Sequence, residues 1–323
     1  MPIYYGGKNL QSLYFGGKKI ASAWYGGKCV YRSVPFLTTP VQIWQWTAPD
    51  IVRSVAVDSQ FNVYAGGNNY YGFGNVAKLD STGKQIWKWE APKTVYSVAV
   101  DSQLNVYAGD SSGNVTKLDS SGKQIWQWVA PNAVNSVAVD SQLNVYAGDD
   151  RNYVTKLDSN GKKIWQWTTS AAVNSVAVDS KFSVYAGDNN GYVTKLDSNG
   201  NKIWQWQSPN PVWSVAVDSQ FNVYAGDVSH VAANHYVTKL DSNGKKIWQW
   251  IVLHTINSVE VDSEFNVYAG DWSGFVTKLD SNGKQIWQWK APSGIWSVAV
   301  DSKFNIYAGD FSNYVTKLQT AKQ

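Results

Sequence analysis

The frame Trp-x-Trp returns seven times, at residues 44/46, 87/89, 126/128, 165/167, 204/206, 248/250 and 287/289, in steps of 43, 39, 39, 39, 44 and 39 residues. An apolar frame with a period near 40 does not suit one irregular core. Each copy is a supersecondary unit that buries its face only against the next copy, which restricts the chain to a propeller or another stacked array. The copy Val115-Thr-Lys-Leu-Asp-Ser-Ser-Gly-Lys-Gln-Ile-Trp-Gln-Trp128 reads as two strands joined at Ser120-Ser-Gly.

Each full period carries four strand signals: Ser-Val-Ala-Val (inner), Asn-Val-Tyr-Ala-Gly (second), Val-Thr-Lys-Leu (third) and Ile-Trp-Gln-Trp (outer). Alternation puts Val55 and Val57 on one face and Ala56 on the other, as in a strand packed on both sides. Helical spacing is nowhere sustained, so the fold class is all-β. Inner strands start at Ser54, Ser97, Ser136, Ser175, Ser214, Ser258 and Ser297, which makes seven. The last third strand, Val315-Thr-Lys-Leu318, is followed by no outer strand, whereas an orphan outer strand, Ile43-Trp-Gln-Trp46, precedes the first inner one. The two ends complete one blade. The expectation is a seven-bladed β-propeller of four antiparallel strands per blade, closed by its N-terminal strand.

Ahead of the propeller (41–323) lie a decapeptide-repeat module (1–34) and a Pro-bearing linker (35–40). The decapeptides Ile3-Tyr-Tyr-Gly-Gly-Lys8, Leu13-Tyr-Phe-Gly-Gly-Lys18 and Ala23-Trp-Tyr-Gly-Gly-Lys28 each pair an aromatic strand with a Gly-Gly turn. They predict a small β-meander with one aromatic face, a piece too small to be stable alone and suited to attachment or oligomerisation.

The net charge of +4 comes mostly from one Lys per Val-Thr-Lys-Leu-Asp copy. Charge spread in this way is no nucleic-acid patch. Cys29 is the only cysteine, so no intrachain disulfide is possible. The N-terminus lacks a basic-then-apolar signal sequence, and no apolar run approaches the roughly 18 residues of a membrane span. The expectation is a chain made in the cytoplasm without classical secretion and without membrane insertion.

The Asp-Ser-x-x-Asn turn (Asp101 to Asn105, Asp140 to Asn144) and the Asp-Ser-Asn-Gly-Lys turn are nearly uniform among the copies. The second-to-third and outer-to-next-inner connections vary, and in an up-and-down blade both lie on one side of the ring. Variable loops on a rigid scaffold are where binding groups sit. Just before the inner strands stand Arg53, Tyr96, Asn135, Asn174, Trp213, Asn257 and Trp296, expected to ring the mouth of the central channel. Flat aromatics among amide and guanidinium donors suit a sugar, the rings stacking on C–H surface and the polar groups bonding hydroxyls. The alternative is that they plug the channel and cap strands.

A second ring precedes the third strands: Asn75, Asn114 and the ligand-binding candidates Tyr153, Tyr192, Tyr236, Phe275 and Tyr314. The aspartates opening these turns (Asp110, Asp149, Asp188, Asp227, Asp271, Asp310) suit cations or, as ordinary turn chemistry, Asx-turns. All three histidines, His230, His235 and His254, fall in neighbouring variable loops, and Glu260 replaces the Ala of the other six inner strands. Three His and a carboxylate on one face could hold zinc; drift within one repeat explains them as well.

No phosphate loop, His-Glu-x-x-His, Cys-x-x-Cys or nucleophile elbow is present. Paired acids for glycoside cleavage would have to come from few glutamates, Glu90, Glu260 and Glu264.

The run Asn105-Val-Tyr-Ala-Gly109 followed by Leu118-Asp-Ser-Ser-Gly-Lys-Gln-Ile-Trp126 resembles the quinoprotein-like (PQQ-like) β-propeller repeat, and its Leu-Asp-x-x-Gly-Lys-x-x-Trp part is similar to that family's tryptophan-docking motif. The resemblance covers residues 41–318 and implies that Trp126, Trp165 and their equivalents wedge against the neighbouring blade. Quinone-dependent members typically have eight blades and an adjacent cysteine pair, which this chain lacks; the expected cofactor is none. The Tyr-Gly-Gly-Lys decapeptides resemble repeats in bacteriophage tail and minor structural proteins. Together these readings predict a non-enzymatic binding protein of a virion tail. Its variable face would recognise a host cell-surface glycan and residues 1–34 would bind other virion proteins. The alternatives are a scaffold propeller with a protein partner, and a glycan-cleaving or quinone-dependent enzyme.

Overall fold

The computed structural model describes residues 39–69, 71–228 and 234–320 in full, and within 1–38 the backbone of six short strands. Two compact units result, one of Met1–Thr38 with Thr320–Gln323, the other of Thr39–Gln319.

In the first unit, Tyr4–Tyr5 pairs Lys8–Asn9, Tyr14–Phe15 pairs Lys18–Lys19, and Ser22–Tyr25 pairs Lys28–Arg32. Each pair is its own two-stranded sheet. The expected continuous meander is thus replaced, among the described residues, by three successive hairpins. Strands of two to five residues offer few ladder bonds with which to recruit a third strand. The aromatic face expected there lies outside the described residues.

The second unit consists of seven four-stranded antiparallel sheets, each running from an inner to an outer strand. The second blade is typical, with strands Val95–Val100, Val106–Asp110, Asn114–Leu118 and Gln124–Val129. The seventh is made by Ile295–Val300, Asn305–Asp310 and Tyr314–Gln319 from the C-terminal end and Val41–Thr47 from the N-terminal end. Its seam pairs Tyr314 with Thr47 and Thr316 with Gln45, then shifts by one residue between Lys317 and Leu318, so that Gln319 lies opposite Val41. The propeller is closed by its N-terminal strand. No helix of the described residues is long and apolar enough to cross a membrane.

Among the described residues the core is divided rather than central. Apolar side chains gather in clusters at the interfaces between adjacent blades. Between blades 1 and 2, for example, Tyr64 and Val76 meet Val95, Val98, Val106, Ala108 and Leu118. Gly109 sets how close two blades come: a Cβ there would lie 2.7 Å from Val134 Cγ1 of the next blade.

The Trp-x-Trp hairpin works at the same interfaces. Trp126 Nε1 donates to Ser159 O of the following blade at 3.0 Å, and Trp87, Trp165 and Trp248 repeat the bond to Ser120, Ser198 and Ser281. The ring face lies over Gly161, which holds φ at +83° and whose Cβ would meet the indole at 3.0 Å. These tryptophans are inter-blade wedges, half-buried rather than fully enclosed.

Beneath each wedge, the repeated turn aspartate holds the scaffold tyrosine. Asp101 Oδ1 accepts from the amides of Gln103 and Asn105, while Oδ2 takes the Asn105 amide group and the hydroxyl of the buried Tyr107. The repeated lysine is also scaffold: Lys117 is buried, its Nζ 5.2 Å from the Tyr107 ring centre and 3.4 Å from Ser159 O. The repeat lysines Lys78, Lys117, Lys156, Lys195 and Lys239 are thus tucked between blades rather than displayed on the surface, and burial lowers the pKa of Lys117, Lys156, Lys195 and Lys239.

Candidate functional site

Every inner strand breaks register at one place, between Val52 and Ser54, Val95 and Ser97, Val134 and Ser136, Val173 and Ser175, Val212 and Ser214, Ile256 and Ser258, and Ile295 and Ser297. The skipped residue in each is Arg53, Tyr96, Asn135, Asn174, Trp213, Asn257 or Trp296. A β-bulge re-aims a side chain away from the pleat. Here seven bulges turn seven side chains toward one place, and with Asp150 they line a cavity of about 330 Å³. The residues expected before the strands thus lie within them, at their bulges.

The lining divides into two arcs. On one side the amides are committed. Asn135 Nδ2 donates to Asp150 Oδ1 at 2.6 Å and to Val173 O of the next blade at 3.1 Å. Asn174 Nδ2 donates likewise to Asn189 Oδ1 at 2.7 Å and Val212 O at 3.0 Å. These asparagines clamp neighbouring blades, so the strand-capping reading holds for them in part.

The other arc is aromatic and cationic. Trp213 and Trp296 lie parallel within 4°, their ring centres 6.4 Å apart. The Arg53 guanidinium carbon stands 5.0 Å from the Trp296 ring centre and 5.4 Å from that of Tyr96. Its Nε donates to Asn68 Oδ1 at 2.6 Å, and burial lowers its pKa. Asn257, 8% exposed, spends Nδ2 on Ile295 O at 2.7 Å. Its Oδ1 and the neighbouring Trp296 Nε1 are buried without a hydrogen-bond partner.

Two residues that sequence reasoning missed extend this wall. Phe311 packs 4.6 Å from Trp296, and Trp272 meets Phe311 edge-on at 4.5 Å. Trp272 keeps 53% of its surface exposed. Both follow the aspartate of the second-to-third turn, where other copies carry Ser111, Asp150, Asn189 or Val228. That substitution pattern was the available signal.

The second ring is not brought to the cavity. Tyr153, Tyr192, Phe275 and Tyr314 open third strands, Tyr236 stands second in its own after His235, and all pair with outer strands, as Tyr153 does with Thr168 and Phe275 with Lys290. Two strand spacings, about 10 Å, separate them from the inner strands. Their backbone amides are taken by the turn aspartates, Asp149, Asp188, Asp227, Asp271 and Asp310. Asp149, Asp188, Asp271 and Asp310 thereby close Asx-turns, whereas Asp227 reaches across nine residues to Tyr236; burial raises the pKa of all five.

Nor do the described members of the histidine group converge. His235 is buried, its charge acting on Asp227, while His254 is exposed and acts on Asp271. Glu260 points elsewhere, into a channel of about 390 Å³ lined otherwise by Val and Ala of the inner strands. Enclosure there pushes its pKa up to about 7. Among the described residues no three His, Cys, Asp or Glu side chains are grouped to hold a metal ion; His230 lies outside them.

The geometry defines a class first: a closed seven-bladed propeller with an aromatic, cationic mouth. Its repeats are PQQ-like. A family model described as outer membrane protein assembly factor BamB matches residues 72–213, from the first blade to the inner strand of the fifth. That span is under half of the 323 residues and is a similarity of the repeat rather than of the whole protein. No curated protein matches the chain.

Proposed function

We propose that this protein is a non-enzymatic binding propeller that recognises a cell-surface glycan at the mouth formed by its inner-strand bulges. The observation carrying the reading is the wall Trp213–Trp296–Phe311–Trp272, partly exposed and most open at Trp272, and bordered by Arg53 and Asn257. Rigid indoles give apolar area to a sugar's C–H face, and the unpaired Trp296 Nε1 and Asn257 Oδ1 give a donor and an acceptor to its hydroxyls. Among the described lining residues Asp150 is the single carboxylate, and it is tied to Asn135, whereas glycoside cleavage by paired acids uses two. A glycan array probed with the intact chain tests the reading: hits that disappear in Trp213→Ala support it, and no hit at millimolar sugar rejects it.

The second reading is a scaffold for a protein partner. It is favoured by the match to a family described as an assembly factor. Under it the same exposed Trp272 and the variable loops would form the contact. A virion-tail setting, with the Tyr-Gly-Gly-Lys hairpins attaching the propeller to other virion proteins, is the proposed context of either reading. Immunogold labelling of particles tests it, and label absent from the tails rejects it.

A further inference from the structure

Among the described residues no carboxylate forms an ion pair with Arg53, the cation at the mouth. Arg53 is held between two ring faces and anchored through Nε by Asn68, which is itself fixed by a 2.9 Å bond from its Nδ2 to Asn69 O. Among the described residues the ion pairs are Lys88–Glu90 and Lys278–Asp262, so none engages Arg53. A partly desolvated guanidinium left without a counter-charge is costly, and its planar fork matches a carboxylate best. Asp150 lines the same cavity but accepts from Asn135 and makes no ion pair with Arg53.

Two unpaired groups belong to residues lining the same cavity, Trp296 Nε1 on the blade that adjoins Arg53 and Asn257 Oδ1 on the blade beyond it, the second on a side chain more than nine-tenths buried. The site therefore asks for one anionic group, one acceptor, one donor and a ring face within the compass of a cavity of about 330 Å³. That volume is at the small end of the ~300–1,000 Å³ range of ligand sites.

Resting on the glycan reading above, we infer that the mouth selects a uronic acid unit. The sugar carboxylate meets the free Nη edge of Arg53, and a hydroxyl donates to Asn257 Oδ1. A ring or hydroxyl oxygen accepts from Trp296 Nε1, and the C–H face stacks on the indoles. A sugar phosphate fits less well: one guanidinium with its Nε already committed cannot balance two charges, and Asp150 on the same lining repels a dianion.

The test is calorimetric titration of the intact protein with methyl glucuronide, methyl glucoside and glucose 6-phosphate, repeated on Arg53→Gln and Arg53→Lys after their melting curves are recorded. A charge-assisted, forked contact predicts that wild type binds the glucuronide roughly 10-fold or more tightly than the glucoside. Arg53→Gln removes the difference and Arg53→Lys keeps part of it. Equal binding of glucuronide and glucoside by wild type overturns this inference while leaving the glycan reading in place. Tighter binding of the phosphate overturns the carboxylate assignment. No binding of any of the three at millimolar concentration overturns the inference, and the glycan reading falls only if the array is also blank. Should Arg53→Gln not fold, the wild-type comparison still decides, because the uronide preference alone must weaken as salt rises.

Discussion

Ser297 Oγ accepts the backbone amide of Val55 at 3.0 Å, joining the inner strand of the last blade to that of the first. The same bond recurs from Val98 to Ser54, Val137 to Ser97, Val176 to Ser136, Val215 to Ser175, Val259 to Ser214 and Val298 to Ser258. An inner strand is a sheet edge whose outward amides have no ladder partner, and an unpaired edge invites aggregation. Here each blade's serine hydroxyl satisfies one such amide of the next, and the belt runs unbroken across the seam. Ser297→Ala leaves a half-buried amide unsatisfied and should cost about 1–3 kcal/mol, the same as Ser175→Ala. Chemical denaturation of the two variants checks this; a seam serine costing nothing would mean that blade 7 is not closed in solution.

The wedge tryptophans should matter less than full burial would make them. Trp126 is half-buried and adds one hydrogen bond to Ser159 O. Trp126→Ala should cost about 2–4 kcal/mol, of which Trp126→Phe loses about 1. Gly161→Ala strains a positive φ and drives a methyl into the same indole, so it should cost about 1–3 kcal/mol. Melting temperatures order the three; ligand binding should survive in each folded variant.

Glu260 gives the propeller a pH signature. Its folded pKa of about 7 stands above the ordinary 4.5, so the folded state holds the proton more tightly than the unfolded state. Stability is then fully present below about pH 4.5 and falls as pH rises toward 7, by up to about 3 kcal/mol. Glu260→Gln should flatten that part of the profile and raise stability at pH 8. Denaturation midpoints at pH 5, 6, 7 and 8 decide it, and parallel profiles for the two proteins would reject it.

Much of the scaffold was legible in the sequence because it repeats. The Trp-x-Trp period, the orphan strand at Ile43–Trp46 and the Val55/Ala56 alternation each follow from chain geometry alone. The site was only half legible. Arg53, Tyr96, Trp213, Asn257 and Trp296 could be placed at the mouth by their common position in the repeat. The bulge that aims them is a register shift, which a single sequence does not display. Tyr153 and Tyr192 looked equivalent to them because position along the repeat says nothing about radial distance from the axis. Trp272 and Phe311 were overlooked because their contacts with Trp296 reach across the mouth rim rather than along the repeat. The buried Lys117 reads on paper as surface charge, since its partners Tyr107 and Ser159 come from strand pairing and from the next blade.

The most direct measurement compares binding to a host-surface glycan preparation by two double variants, Trp213→Ala/Trp296→Ala at the mouth and Tyr153→Ala/Tyr192→Ala on the third strands. We predict that the first loses at least about 100-fold in affinity while the second stays within about 3-fold of wild type, since only the first pair lines the cavity. Loss in the second pair with the first unaffected would place the working surface away from the mouth and contradict the central claim.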